Sequence, residues 1–248
     1  MRVRSFATFA LVGMLSGSVF AQGEWTEYKS DQDHFTCDFP GQPKVTEQPY
    51  TTQFGTKLPS RLYSVDIAPN NYYHLTVVDF TNIVALATEK AKSCPPGAET
   101  CLGGNGGPGQ STGPGYSKAD RAGAMVYATW QFMQRDAKVT NLLWTNMNLV
   151  EGNMIRLRNN KDGSQTAATI FMWHDKLYIV EGTVPKGYPE PGLFYQSIAW
   201  IDDQGNNIRY QDFYHNGSPE PPVMNRGGGA GPAGAQPQGA RGGGRGRQ

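Results

Sequence analysis

The side chains in this sequence with the most chemistry to offer are 4 histidines, 3 cysteines and a set of arginines gathered at the C-terminal end. His34, His74, His174 and His215 stand far apart in the chain. No two share the spacing that would present both imidazoles to one zinc ion from a helix, and no His-Glu-x-x-His occurs. Each reads as a surface or hydrogen-bonded histidine, the alternative being a site assembled from separate strands. Asp31/Asp33 and Asp202/Asp203 are carboxylate pairs, but both fall in turn-forming text. Asp202-Asp203-Gln204-Gly205-Asn206 lacks the ligand order and distant Glu of a Ca²⁺ loop. There is no Gly-x-Ser-x-Gly elbow and no penicillin-binding signature set. The glycine run 103–109 lacks the Lys-Ser/Thr end of a phosphate loop and reads as a flexible loop, a kind that can still meet partners. The sequence therefore assigns no catalytic residue, metal or cofactor, and leans away from an enzyme.

The cysteines speak of compartment. Cys94 and Cys101 flank the turn-prone Pro95-Pro96-Gly97, and a disulfide closing that loop is the reading expected of an exported protein. A redox pair is the alternative, disfavoured because catalytic thiols are separated by two residues at a helix start. Cys37 lies in an alternating segment and reads as a buried free thiol.

Export itself is read from the first residues. Arg2 and Arg4 precede an apolar run from Phe6 to Phe20 with no charge, and Val19-Phe20-Ala21 offers a small-residue cleavage site. The run falls short of the ~20 residues that span a bilayer. Residues 1–21 are thus expected to be a signal peptide, leaving a mature chain that is periplasmic or secreted and not transmembrane. The chain carries 22 basic and 21 acidic residues. Setting aside Arg2, Arg4 and the four arginines after Val223 leaves 16 basic against 21 acidic. A near-neutral total hides an acidic body and a basic end.

That end, Met224–Gln248, holds 10 glycines in 25 residues and no large apolar side chain beyond Met224. It cannot bury enough surface to offset its ordering entropy, so 214–248 is expected to be a disordered tail. Arg241-Gly242-Gly243-Gly244-Arg245-Gly246-Arg247 resembles Arg-Gly segments that hold RNA by charge and guanidinium stacking, and with Arg226 these arginines are the candidate contacts to an anionic partner. Outside the cytoplasm no nucleic acid is expected. The same physics would favour a lipid phosphate surface, an anionic wall polymer or an acidic envelope protein, with salt-sensitive binding. A solubilising chain end is the alternative.

The elements that would position any site lie in 22–213, expected to be one domain interrupted by a Gly/Pro-rich loop at 94–116. Phe35, Cys37 and Phe39 alternate along a strand ended by Pro40-Gly41. Arg61–Ile67 and Tyr72–Phe80 form a hairpin around Ala68-Pro69-Asn70-Asn71. Ile83–Lys92 reads as a short helix. Ser117, three before Asp120, suggests a capping box. Ala122, Met125, Val126, Thr129, Trp130 and Met133 then mark the apolar stripe of the main helix. Leu142–Val150, Met154–Arg158, Thr166–Trp173 and Lys176–Val184 follow as strands, with turns at Glu151-Gly152-Asn153, 160–164 and His174-Asp175. A last helix, 192–198, would bury Phe194 and Ile198. The class is α+β, an antiparallel sheet with helices packed on it.

Trp25-x-x-Tyr28 leading to Phe35-Thr36-Cys37-Asp38-Phe39-Pro40-Gly41-Gln42-Pro43, the strand Lys176–Val180, and Phe194-Tyr195-Gln196-Ser197-Ile198 together resemble exported bacterial proteins of uncharacterised function with a PsbP-like fold. The resemblance spans roughly residues 25–201. It implies an α/β/α sandwich and a non-catalytic role, and it carries no functional residues to this chain. The function expected is a binding or assembly module of the envelope. An envelope hydrolase, or a small-ligand carrier with a cavity lined by Tyr72, Tyr73, Trp130 or Trp173, are the alternatives. Ordinary core packing is the competing reading of those aromatics.

Overall fold

In the computed structural model the described residues are 24–93, 116–209 and 213–216. The expected signal peptide, the expected Cys94–Cys101 bridge, and Arg226, Arg241, Arg245 and Arg247 lie outside them. So does the glycine loop, apart from Tyr116.

Strands dominate. They are β1 (Thr26–Ser30), β2 (Phe35–Phe39), β3 (Lys44–Thr51), β4 (Lys57–Ala68), β5 (Asn71–Asp79), β6 (Ala137–Met147), β7 (Val150–Asn159), β8 (Gln165–Trp173), β9 (Lys176–Val184) and β10 (Ala199–Trp200). The helices are α1 (Ile83–Lys92), α2 (Ser117–Ala122), α3 (Ala124–Met133) and the one-turn α4 (Gly192–Tyr195). Seven strands make one sheet in the order β3-β4-β5-β9-β8-β7-β6, and β1-β2-β10 make a second. Every ladder in both is antiparallel. No helix among the described residues is long and apolar enough to cross a membrane.

Two apolar layers flank the large sheet. On one face Ala168, Ile170, Met172, Leu177 and Ile179 meet Ala124, Met125, Ala128 and Phe132 of α3. On the other, Ala167, Phe171, Trp173, Tyr178 and Val180 meet Phe35, Cys37 and Phe39 of β2, Phe194 of α4 and Trp200 of β10. β8 and β9 are covered on both faces, which is why Ile170-Phe171-Met172-Trp173 and Leu177-Tyr178-Ile179-Val180 run apolar instead of alternating. Each large side chain so buried contributes about 1.5–3 kcal/mol, and Phe171→Ala would cost about 3–5 kcal/mol.

Several expectations are corrected. The main helix breaks at Gly123 into α2 and α3. Ser117 is not its cap: it is the first helical residue, and Asp120 instead accepts from Thr52 Oγ1 (2.8 Å) and the Phe54 amide (3.1 Å). The buried stripe of α3 is Ala124, Met125, Ala128, Thr129 and Phe132, while Val126, Trp130 and Met133 are exposed. The turn placed at 151–153 falls at Asn148-Leu149, both at positive φ (46° and 66°). Gly152 is a strand residue instead. A Cβ there would collide with the Ile170 carbonyl oxygen and the Phe171 ring, so glycine permits close strand packing. β3 and β10 carried no separate signal. Past the expected boundary at 213, Tyr214–Asn216 still dock on the body: the Tyr214 amide donates to Leu149 O (2.8 Å), and the Glu151 amide donates to Tyr214 O (3.1 Å).

Candidate functional site

Three turns converge at one end of the sheets. The β1–β2 turn brings His34, the β8–β9 turn brings His174 and Asp175, and the stretch after β10 brings Asp202, Asp203 and Ile208. Between them lies a cleft of about 460 Å³ with Trp173 and Ile201 in its lining. His34 and His174 both adopt positive φ (54° and 51°), a region in which histidine is enriched among non-glycine residues. The Trp173 indole lies near both rings, with centroids 6.5 Å from His34 and 4.4 Å from His174.

A second hollow of about 580 Å³ shares His174 and opens on the helical side of the sheet, where Lys118 and Arg121 of α2 form part of its rim. The Tyr214 ring stacks near the His174 imidazole there, centroids 6.2 Å apart. Arg121 Nη2 lies 2.5 Å from Asp175 Oδ1. That contact is an ion pair without hydrogen-bond alignment, since the same buried oxygen receives no directed donor.

Beneath the first cleft sits a buried ionic centre. Asp33, fully inaccessible, accepts from Arg61 Nε (2.6 Å), Lys176 Nζ (2.8 Å) and Tyr63 OH (2.7 Å), with the Arg61 Nη2 atom closing a bidentate fork. Tyr178 OH donates to the Asp33 carbonyl (2.8 Å). Burial pushes the Asp33 carboxyl up, but the bonds from Arg61, Lys176 and Tyr63 outweigh it and hold it below the ordinary carboxylate range. Burial pushes the Tyr63 phenol up as well. This centre ties the β1–β2 turn to β4 and β9, so it fixes His34 and Lys176 in the cleft wall.

The polar groups of the cleft are largely committed to partners. Lys176 serves Asp33. Asp175 faces Arg121. Asp202 Oδ1 accepts the Gln204 and Asn206 amides of its own turn (2.9 and 2.8 Å), and the Asn206 amide is the main reason its carboxyl sits below the ordinary range. Asp203 lies 3.8 Å from His34 Nδ1, too far for a hydrogen bond. No group of three His, Cys, Asp or Glu among the described residues is placed to hold a metal. The arrangement can seat a ligand against Trp173 and two imidazoles in the first cleft, with Lys118 and Arg121 on the rim of the second hollow beyond His174.

The structure brings His34 and His174 to one cleft but leaves the other two histidines elsewhere. His74 bonds Asp66 (2.7 Å) and His215 lies 3.0 Å from Glu151. Cys37 is a free, buried thiol, as its alternating segment suggests, and burial pushes it up to about 12. It stays protonated and unreactive at neutral pH. The proposed carrier aromatics do not share a cavity: Tyr73 is core, Trp130 is exposed, and Tyr72 OH donates to Glu181 Oε1 (2.8 Å). Only Trp173 lines the cleft. Arg121, Ile201 and Tyr214 carried no sequence signal, because they meet Asp175, His34 and His174 from distant parts of the chain, and Ile208 joins them through the Trp200 carbonyl. Compared with protein-family models and with curated protein sequences, the chain matches none.

Proposed function

We propose that this chain is a non-enzymatic exported envelope protein, periplasmic or secreted, that acts as a binding or assembly module. Its body would be of the PsbP-like kind, with a helical layer on one face of the large sheet and α4 on the other. The arginines at 226, 241, 245 and 247 would contact an anionic envelope partner. The observation that carries the reading is the double hollow about His174, in which the Asp33 centre pins the wall of the first cleft and the Arg121–Asp175 pair spans the two. A fixed wall with committed charges suits holding a ligand better than moving a proton.

A specific observation also favours the carrier form of this reading. The cleft volume lies within the ~300–1,000 Å³ of small-molecule sites, and Trp173, Ile201 and Ile208 supply apolar lining. Native mass spectrometry of the full chain taken from its own cell envelope tests it. A retained adduct that disappears in Ile208→Asp supports the cleft as its seat. An adduct indifferent to that substitution, or a chain that carries none and fractionates away from the envelope at low salt, defeats the reading.

A further inference from the structure

The two edges of the seven-stranded sheet are built differently. β3 carries Lys44, Glu47 and Pro49, devices that discourage another strand from pairing. β6 carries one charge, Lys138, and no proline in 11 residues. Its centre, Leu142-Leu143-Trp144, is 44–50% exposed, and among the described residues no strand lies on its outer side. An open edge with a single charge and an apolar centre is a template for a further strand.

The flanking surface extends the template. Leu142 is paired with Ile155 and Trp144 with Asn153, so both side chains point to the helical side of the sheet. Asn153 Nδ2 donates to Thr129 Oγ1 of α3 (3.1 Å), which shows that this flank of α3 faces β7 and β6. Met133, Val126 and Trp130 follow Thr129 round the helix on that same flank, and all three are exposed. Two elements thus offer exposed apolar side chains to one strip, which at its Trp144 end already meets Glu151 Oε1 (3.2 Å) and the Phe213 ring (centroids 6.0 Å apart).

The pattern of β6 names the occupant. Read outward from Leu143, the residues mirror one another in polarity: Leu142 with Trp144, and Asn141 with Thr145. We infer that a second copy of this chain pairs with β6 antiparallel to itself, about a two-fold axis at Leu143. Leu143 then meets its own counterpart, Leu142 meets Trp144, and Asn141 meets Thr145, each with a partner of its own polarity. The interface is isologous, and both helical layers lie on one side of a continuous sheet. The irregularity between Val139 and Asn141 bounds the ladder at one end. Lys138 of each copy falls outside the five-residue core, so no like charges oppose one another within it. This inference does not depend on the ligand reading of the His174 hollows.

The test is sedimentation of the full mature chain across a concentration series, with disulfide trapping to read the register. A dimer is expected for the parent. Leu143→Lys should shift the mass to one chain with an unchanged circular dichroism spectrum, since that site is exposed in the single chain. Leu143→Cys should crosslink to itself under mild oxidation, because directly opposed residues lie ~4.5–5.5 Å apart, within disulfide reach. Asn146→Cys should not, its own counterpart being six residues along the ladder, roughly 20 Å away. A monomeric parent overturns the proposal and leaves β6 to a different strand. A dimer untouched by Leu143→Lys, or crosslinking equal at 143 and 146 or no greater than in the parent chain, overturns it as well.

Discussion

Asp33 and Glu151 are both carboxylates at the start or edge of a hairpin, and both are at most 1% exposed, yet they are satisfied in opposite ways. Asp33 is met by two full cations and a phenol, drawn from β4 and β9. Glu151 is met by His215 Nδ1 (3.0 Å), Trp144 Nε1 (3.2 Å) and the Asn216 amide (3.3 Å). The first centre joins one sheet to the other. The second clamps the end of the described chain to the β6–β7 turn, aided by Asn216 Nδ2 on the Glu151 carbonyl (2.8 Å). The difference teaches where stability is global and where it is local. Removing a charge from a compensated buried cluster strands its partners throughout the core, whereas releasing a clamp frees only the segment it holds.

The largest effect is expected from Asp33→Ala. It leaves the Arg61 and Lys176 cations largely buried without their anion, and the loss should be about 3–5 kcal/mol by chemical denaturation. Glu151→Gln keeps its shape and should cost about 1–2 kcal/mol. A larger loss at 151 than at 33 would break the comparison.

Acid should separate the two next. The folded value of the Asp33 carboxyl lies below its unfolded value, so its contribution is complete above the ordinary aspartate range of about 4 and is lost as pH falls through the folded value. Denaturation midpoints between about pH 5 and pH 3 should therefore fall more steeply in the parent than in Asp33→Asn. Parallel curves would remove the ionic account of that centre.

A local effect comes third. In Glu151→Gln the Tyr214 amide, which donates to Leu149, should exchange its hydrogen about tenfold faster, while core β8 and β9 amides change less. Uniform acceleration across the sheet would make the clamp a global element after all. The smallest effect is expected at the exposed His74–Asp66 pair, where His74→Ala should stay within about 0.5 kcal/mol.

Much of the fold was legible from local text. Phe35, Cys37 and Phe39 announce a one-sided strand, Ala68-Pro69-Asn70-Asn71 announces a hairpin, and Ile83–Lys92 is helical as its composition suggests. Phe194 and Ile198 are buried as expected, but the expected helix over 192–198 ends at Tyr195, so Ile198 is buried from the loop that follows it. What misled was text with two physical explanations. Gly152 looked like a turn because glycine permits one, but the pressure of Phe171 and not backbone curvature requires it. Val126, Trp130 and Met133 looked like core because they keep helical spacing, yet the sheet edge is too far round to cover them.

The sequence by itself determined the alternation of β2 and of the β4–β5 hairpin, most of the turns, and the class of protein: antiparallel sheet with helices packed on it. Those features depend on residues within a few positions of one another, where side-chain alternation and glycine or proline geometry act directly. Only the tertiary structure decided which strands became edges, which turns met around His174, and that Asp33, plain turn text in the sequence, would be the most heavily bonded carboxylate among the described residues. Those outcomes rest on pairings such as Asp33 with Lys176 across 143 residues. Burial and charge compensation there come from neighbours that no local window contains.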